Sequence, residues 1–375
     1  MEFIILKNNL QKGLAIIARA LAAKSPMEVI NNVYIKSSKG GIELTGTNLH
    51  FTISCWLGAS VKMEGELLVP AKIFIDLINE IHDEKITLTL KGQELTVKSD
   101  TVKTKINTVL PDDYPKIDRY IPDQSFKITT TELNKVVSKT LFSVASDNSR
   151  VVLTGLNFNV SDNILKIVGL DGFRLAEYTL EEGIKNTEGT SDSYQFIVPA
   201  MELQSAIKSF SQYGVEEITI EVNLSKNYLQ LNSDDIFAQI VLISGDYPNY
   251  QSIIPTEFNH KIIIDKEKFG NGIKLINIFA KELGNAVKMI INNDILILES
   301  QPNSLGQNNY ELKIDTPVNE NIEIVFNAKY LLDFINNTDG SEVILELIEG
   351  LKPGKFTDPD TPNYWYIVMP MQSSW

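Results

Sequence analysis

The sequence predicts an α+β fold in which one pattern of strands and helices occurs three times along 375 residues. Three observations predict it. A short strand followed by an amphipathic helix begins near Phe3, Phe126 and Lys261, and the apolar positions of these helices align without gaps. A second strand and helix follow in each copy. Alternating apolar and polar residues then predict antiparallel strands that pack against the helices on one face.

The first helix of each copy places apolar residues at steps of three and four, which form one face of a helix. Thr129 and Glu132 have the spacing of a capping box, and Asp265 is the predicted N-cap in the third copy. The aligned residues are Leu10 with Leu133 and Phe269, Leu14 with Val137 and Ile273, and Ile17 with Thr140 and Ile276.

The second helix of each copy follows a strand that ends near Pro70, Pro199 or Asn327. Proline suits the first turn of a helix, because its φ angle is fixed and its missing N–H needs no partner there. We therefore expect both prolines just inside their helices. The aligned apolar residues are Phe74 with Leu203 and Leu331, Leu77 with Ala206 and Phe334, and Ile78 with Ile207 and Ile335.

Segments rich in Pro, Asp and Asn, at 116–124 and 251–259, are predicted to link the copies. The first two copies each close with Asp-Tyr-Pro shortly before these links. The sequence thus predicts three similar domains, each with two helices packed on antiparallel sheet. Their predicted bounds are 1–122, 123–255 and 256–375.

Composition limits the classes of function. No run reaches the ~18 apolar residues of a membrane-spanning helix. The single cysteine, Cys55, allows no internal disulfide and favours the cytoplasm. Three scattered histidines and the lack of a phosphate-binding loop predict no catalytic residues, no metal and no cofactor. An enzyme built on a repeated α+β scaffold, with a catalytic cluster that converges only in space, stays an alternative.

Charge is distributed unevenly along the chain. The net charge of −14 weakens bulk attraction to nucleic acid, yet the first-helix segments 8–24, 131–144 and 265–281 carry +3, +1 and +2. Basic helices in an acidic chain are typical of a protein that surrounds nucleic acid through non-specific phosphate contacts. The basic pairs predicted to lie opposite each apolar face are Lys12 and Arg19, Lys135 and Lys139, and Lys274 and Lys281.

Five short motifs follow one another along the chain. They are Leu44–Leu49, Val69–Ala71, Asp171–Ala176, Asp246–Pro248 and Tyr366–Met371. In this order and spacing they resemble the bacterial sliding clamp family, the beta subunits of replicative DNA polymerase III, over essentially the full length. The resemblance implies the DNA clamp fold, a head-to-tail homodimeric ring of six domains around duplex DNA, and a non-catalytic processivity factor that tethers the polymerase.

The resemblance also implies sites. Partner peptides of the polymerase catalytic subunit, the clamp loader and other clamp-binding proteins would dock in an apolar pocket. Ile278 and Phe279 would form the third-domain side of the dimer interface, and Lys103 and Lys105 the first-domain side. The predicted pocket residues are Leu153, Leu170, Gly172, Phe173, Arg174, Leu175, Pro248, Ile253, Asn327, Tyr330, Ile367, Met369, Pro370 and Met371.

Six basic residues are predicted to face DNA. The resemblance places Lys24 at a basic position of the family and Arg150 beside a DNA-facing loop. The distribution of charge adds Lys12, Arg19, Lys72 and Lys135.

The chain departs from the family pattern near the predicted pocket. Ser252 replaces a usually basic residue, Leu170 replaces a common threonine, and the chain extends to Gln372–Trp375. Trp375 either covers the pocket or lies in solvent. A clamp paralogue that serves a non-replicative or mobile-element partner is the alternative function.

Overall fold

The computed structural model describes residues 1–21, 25–186, 193–348 and 352–372. These residues contain six α-helices, two for each copy of the repeat. The helices are α1 (Lys7–Ile17), α2 (Ala71–Glu80), α3 (Thr130–Leu141), α4 (Ala200–Tyr213), α5 (Lys266–Ala280) and α6 (Ala328–Asn336). Short 3₁₀ helices lie at Ala18–Ala20, Glu28–Asn31, Pro111–Asp113, Asn148–Thr154, Tyr250–Ile253 and Lys281–Leu283.

The strands of the described residues alternate with the helices and pair in antiparallel sheets. Those that precede residue 150 are β1 (Glu2–Leu6), β2 (Asn32–Ser38), β3 (Gly41–Thr47), β4 (Phe51–Gly58), β5 (Ser60–Met63), β6 (Gly65–Pro70), β7 (Lys85–Lys91), β8 (Glu94–Lys98), β9 (Lys103–Asn107) and β10 (Gln124–Thr129). Those of the remaining chain are β11 (Gly155–Ser161), β12 (Ile164–Leu170), β13 (Arg174–Leu180), β14 (Lys185–Asn186), β15 (Tyr194–Pro199), β16 (Glu217–Asn223), β17 (Tyr228–Asn232), β18 (Ile236–Val241), β19 (His260–Asp265), β20 (Ala286–Ser300), β21 (Asn309–Asn327), β22 (Glu342–Leu347), β23 (Gly354–Asp358) and β24 (Thr361–Val368).

The described chain forms two compact units. The first comprises residues 1–134, 183–192 and 198–243, and the second comprises 135–182, 193–197 and 244–375. The first unit holds a five-stranded sheet, β5-β1-β7-β8-β9, and a nine-stranded sheet, β14-β10-β16-β17-β18-β4-β3-β2-β6. The second unit holds an eight-stranded sheet, β15-β11-β12-β13-β24-β23-β22-β19, and the ribbon of β20 and β21.

Sheets continue from one copy of the repeat into the next. In the first unit β4 pairs with β18, and in the second unit β13 pairs with β24. Since backbone pairing joins strands of neighbouring copies, the compact units do not follow the copies. The three predicted domain bounds stay a prediction of the sequence repeat.

The repeated apolar positions form the core, as the alignment predicts. All nine aligned residues of the first helices are buried, including Thr140, whose hydroxyl donates to the carbonyl oxygen of Val136 (3.0 Å). Eight of the nine aligned residues in the second helices are buried, and Leu77 is half-buried. This burial confirms the helical period that was read from the sequence.

The predicted caps of two first helices are confirmed. The Glu132 amide donates to Thr129 Oγ1 (3.1 Å), and the Lys268 amide donates to Asp265 Oδ1 (2.9 Å). These side chains satisfy N–H groups that the first helical turn leaves without a backbone partner.

The predicted position of the two prolines is wrong. Pro70 and Pro199 end their strands and occupy the N-cap positions, so that each helix begins at the following alanine. Their φ and ψ angles, −53° and 115° for Pro70, suit the end of an extended strand. The predicted link 251–259 also begins inside the 3₁₀ helix Tyr250–Ile253. Among the described residues, no helix is both long and apolar enough to span a membrane.

Candidate functional site

A cleft of about 600 Å³ in the second unit gathers residues from the turn before β13 and from α6. The turn is short, because β12 ends at Leu170 and β13 begins at Arg174. Asp171 Oδ1 accepts the amides of Phe173 (2.9 Å) and Arg174 (3.0 Å). Gly172 has a φ of +93°, which favours glycine over residues with a Cβ atom. The turn leaves the Phe173 side chain 62% exposed at the cleft.

Arg174 is the most constrained side chain of the cleft. Its Nε donates to Asp171 Oδ2 (3.0 Å), its Nη1 donates to Asp333 Oδ2, and its guanidinium lies 4.3 Å from the centre of the Tyr330 ring. Burial acts to lower the pKa of Arg174, but Tyr366 and the two carboxylates outweigh burial and raise the pKa overall. The guanidinium is therefore held charged and in one place.

The start of α6 positions Tyr330. Asn327 is the N-cap of this helix and accepts the amide of Lys329 (2.9 Å). The Tyr366 hydroxyl, from β24, donates to the Tyr330 carbonyl oxygen (3.1 Å). Burial and the neighbouring Asp171 raise the pKa of Tyr330. Asp333 lies three residues after Tyr330, on the same helical face, which brings its carboxylate to Arg174.

The segment after β24 continues along the same turn. The Met369 amide donates to the Phe173 carbonyl oxygen (2.8 Å), and the Met371 amide donates to that of Val325 (2.8 Å). Met369 is 38% exposed, and Pro370 and Met371 are half-buried. The backbone thus fixes an apolar segment beside the exposed Phe173 ring.

The structure brings together part of the predicted pocket. Phe173, Arg174, Asn327 and Tyr330 line the cleft, Gly172 forms its turn, and Met369–Met371 is bonded to that turn and to β21. Leu153, whose carbonyl oxygen accepts the amide of the cleft residue Ala145 (2.9 Å), is buried beside it. Leu170, Leu175 and Ile367 are buried members of the strands.

Four of the fourteen predicted pocket residues line this cleft, and Pro248 and Ile253 are not among them. Pro248 is exposed and lines a separate cleft of about 580 Å³, and Ile253 is 52% exposed in a 3₁₀ helix. Asp147, Asp171, Lys329 and Asp333 do line it but are absent from the prediction. Asp171 adjoins Gly172 in a predicted motif, and Asp333 follows Tyr330 by three residues. These spacings place both beside predicted residues, but the contact of Asp333 with Arg174 depends on tertiary pairing.

The predicted basic residues occupy different settings. Lys12 Nζ donates to the Tyr213 carbonyl oxygen (3.2 Å), and Arg19 Nη2 donates to Gln212 Oε1 (2.8 Å), so both contact the end of α4. Lys72, Lys135 and Arg150 are exposed. Lys24 lies outside the described residues, as does Trp375.

The prediction that Lys139 shares an exposed stripe with Lys135 is wrong. Lys139 is buried, and its Nζ contacts the Asn337 carbonyl oxygen (2.7 Å) and Asp339 Oδ2 (2.9 Å). The alignment of the repeats gives the reason: Lys139 falls at the position of Ile16, a buried residue of α1.

The predicted interface residues of the second unit lie in an exposed apolar patch. Ile278 is 60% exposed, and Phe279 is half-buried. Leu305, 67% exposed, belongs to a loop that Asn303 fixes by donating from Nδ2 to the Phe279 carbonyl oxygen (2.9 Å). The apolar patch consists of Leu275, Ile278, Phe279 and Leu305.

Lys103 and Lys105 are exposed on β9, an edge strand of the five-stranded sheet in the first unit. Lys105 forms an ion pair with Glu94 (2.8 Å).

The described residues give little support to a metal site or to a reactive thiol. No cluster of three or more His, Cys, Asp and Glu within the described ranges could hold a metal. Burial raises the pKa of the Cys55 thiol to about 12.

Three family models match the chain in succession. Their descriptions are DNA polymerase III beta subunit N-terminal domain (residues 1–118), central domain (127–249) and C-terminal domain (251–372). Similar curated proteins include the Beta sliding clamp of Chlamydia pneumoniae, 25% identical over 373 residues and covering 99% of each chain. The Beta sliding clamp of Rickettsia bellii is 26% identical over 390 residues, which cover 99% of this chain and 100% of the relative.

Solved structures share the fold. The DNA polymerase sliding clamp from Bacillus subtilis aligns with a TM-score of 0.93 at 20% identity, over 100% of this chain and 99% of that one. A sliding clamp from Pseudomonas aeruginosa bound to griselimycin aligns with a TM-score of 0.92 at 22% identity, over the whole of both chains. These likenesses confirm the predicted α+β architecture of repeated helices and antiparallel sheets.

Proposed function

We infer the function from the family of the chain. Three consecutive family models match it, and the chain therefore belongs to the DNA polymerase III beta subunit family. This family comprises the beta sliding clamps, which are non-catalytic processivity subunits. We propose that the chain encircles duplex DNA as a head-to-tail homodimer and tethers the replicative polymerase, the clamp loader and other partners through short peptides. The observation that carries the proposal is this match along nearly the whole chain.

The apolar patch supports the homodimer. A head-to-tail ring needs two different surfaces on each subunit. The patch of Leu275, Ile278, Phe279 and Leu305 offers an apolar surface of the kind that interfaces cover. The edge strand β9 offers unpaired backbone groups and two exposed lysines as the second surface.

Exposed basic residues support the contact with DNA. Lys72, Lys135 and Arg150 are exposed and available to phosphates. Lys12 and Arg19 also keep contacts with α4, which would hold their charges in fixed positions. Contacts of this type are independent of sequence and weaken as salt rises.

The cleft supports the binding of partner peptides. Exposed apolar groups at Phe173 and Met369 adjoin the polar groups of Arg174 and Tyr330. Apolar surface with a few fixed polar groups is typical of a ligand site. Griselimycin, which the P. aeruginosa clamp binds, is therefore a suitable first probe for this chain.

The first experiment tests the dimeric ring. Sedimentation equilibrium over a concentration series is expected to give twice 42.0 kDa, and the dimer should persist on dilution. Loaded onto nicked circular DNA by its clamp loader, the protein should stay bound and then leave when the circle is cut. A monomer at every concentration, together with release from intact circles, would contradict the proposal.

We further propose that the protein acts in the cytoplasm, a compartment in which the buried free thiol of Cys55 stays reduced. The comparisons support a clamp and do not support the alternative of a mobile-element paralogue.

A further inference from the structure

We propose that Asp333 covers the guanidinium of Arg174 and thereby makes the cleft discriminate against acidic peptides. This inference rests on the proposed binding of partner peptides in the same cleft. It assigns Asp333 the role of a specificity determinant, and it changes the role of Arg174 from a peptide ligand to a charge that the protein has already paired.

The two carboxylates that contact Arg174 differ in how firmly they are held. The Asp171 side chain is 13% exposed, and it accepts two backbone amides of its own turn as well as Nε of Arg174. The Asp333 side chain is 40% exposed and contacts Nη1 from the wall of the cleft. Asp171 therefore belongs to the fold of the turn, whereas Asp333 can rotate away without breaking the turn.

Aromatic rings and Asp171 surround much of the Arg174 guanidinium. The side chain is 11% exposed. The Tyr330 ring lies 4.3 Å from the guanidinium, and the Phe142 ring lies 5.8 Å from it. Asp171 occupies the Nε edge. Tyr366 also hydrogen-bonds to the guanidinium. Of the two carboxylates that contact Arg174, Asp333 is the more exposed and lines the cleft, so an incoming carboxylate competes with it for Arg174.

The charges that line the cleft favour the same conclusion. Asp147, Asp171 and Asp333 oppose Arg174 and Lys329, which leaves one net negative charge. Neutralising Asp333 brings the lining to zero and replaces its ion pair with Nη1 by a weaker, neutral hydrogen bond. An acidic peptide thus meets repulsion and a displacement cost in the native protein, and both obstacles are smaller in an Asp333→Asn variant.

The test uses a paired array of amidated hexapeptides rich in leucine and phenylalanine, each made in a Glu form and a Gln form at one position. The measured quantity is the ratio of the Kd values of the two forms, by fluorescence anisotropy with the full-length protein. Native protein is expected to bind the Gln form more tightly. D333N should shift the ratio about tenfold toward the Glu form, the scale of one like-charge contact at a partly exposed site.

The matched control is D147N, which removes one negative charge from the same cleft. Asparagine can still accept the Ser149 amide that Asp147 accepts (2.8 Å), so the local turn is kept. We expect D147N to change the ratio less than about threefold, because the ion pairs of Arg174 within the described residues are with Asp171 and Asp333. D333S removes the charge by another side chain and should reproduce the shift. The shift should vanish in the double variant D333N/R174Q.

The outcomes separate the inference from the function on which it rests. Peptide binding with an unchanged Glu-to-Gln ratio in D333N and D333S would overturn the role of Asp333 alone. Equal shifts in D147N and D333N would also overturn it, since bulk charge would then explain the preference. Failure of every peptide and of griselimycin to bind would overturn the proposed peptide site and the inference together.

Discussion

Replacing the buried Lys139 by alanine is expected to destabilise the second unit, whereas the same change at Lys135 on the same helix is not. Lys139 Nζ bonds to the Asn337 carbonyl oxygen (2.7 Å) and Asp339 Oδ2 (2.9 Å), and it lies 5.1 Å from the centre of the Tyr364 ring. Its side chain is 4% exposed. Truncation would remove the side-chain donor to a part-buried carbonyl oxygen and leave a cavity in place of the lysine stem.

The magnitude follows from these contacts. Loss of a hydrogen bond from a charged group costs about 1.5–3 kcal/mol, and breaking a buried ion pair costs about 3–5 kcal/mol. The Asp339 side chain is 62% exposed and regains water when its partner is lost, which lowers the cost of the ion pair. We therefore expect K139A to lower the free energy of unfolding by about 3 kcal/mol. K135A removes an exposed side chain and should change it by less than about 0.5 kcal/mol.

Urea unfolding followed by tryptophan fluorescence would measure the difference. Trp56 is the tryptophan of the first unit, so a W56F background makes the signal report the second unit, where Trp365 lies in β24. Both variants lose one lysine from one helix, which cancels the change in helix propensity. Equal midpoints for K139A and K135A, or a K139A protein as stable as its parent, would refute the assigned role of Lys139.

Three further predictions address the proposed ring, the cleft and a loop of the first unit. Ile278→Asp should convert the homodimer to a monomer in sedimentation equilibrium, because it places a charge in the apolar patch; Ile164→Asp, at another exposed isoleucine, should leave the dimer intact. Phe173→Ala should weaken griselimycin or peptide binding about tenfold in anisotropy with an unchanged melting temperature, since the ring is 62% exposed, and equal affinity would contradict the cleft. Hydrogen bonds from the 99–101 loop lower the pKa of Asp83 in the folded protein. The carboxylate therefore stabilises the folded state fully above the pKa that Asp83 has in the unfolded chain, and this stabilisation is lost as pH falls through the lower pKa of the folded state. The difference in urea midpoint between native protein and D83N should thus be largest near neutral pH and vanish in acid; a difference independent of pH would contradict the role of this carboxylate.

The fold could be predicted from the sequence because burial is periodic and local. The alignment of three helices identified Leu10, Leu133 and Phe269 as equivalent, and each is fully buried. The same alignment placed Thr140 among apolar residues, and its hydroxyl is satisfied within its own helix. Helical period fixes which face is buried, so that these positions needed no knowledge of partners.

Lys139 shows where that reasoning fails. The alignment of the repeats places Lys139 at the position of Ile16, a buried residue of the first copy, but the charge of the lysine suggested an exposed face. The partners that make burial tolerable, Asn337 and Asp339, lie about two hundred residues away along the chain. Contacts of this kind depend on tertiary pairing, which spacing along a single helix does not reveal.

The residues of the cleft likewise differ in how far the sequence predicts them. Its turn could be predicted from a compact motif, since Asp171 and Gly172 supply the hydrogen-bond acceptor and the positive φ angle locally. The contact of Asp333 with Arg174 joins residues that are far apart along the chain, and no local pattern contains it. Pro248 and Ile253 were predicted by resemblance, and the structure leaves both outside the cleft.

The first copy of the repeat shows that backbone geometry alone does not make the cleft. Asn48 Oδ1 accepts the amides of His50 (3.0 Å) and Phe51 (2.8 Å), and Leu49 has a φ of +76°. The Val241 amide donates to the His50 carbonyl oxygen (2.9 Å), as the Met369 amide does to that of Phe173 in the second copy.

The backbone of this turn is therefore repeated, while its chemistry is not. Phe51 occupies the position of Arg174 and is buried, so the first copy lacks the guanidinium that Asp333 and Tyr330 surround in the second. The repeat supplies the same reversal between strands twice. Recognition then depends on a few side chains added to one of these turns, which is why single substitutions at Arg174 or Asp333 should change binding without changing the fold.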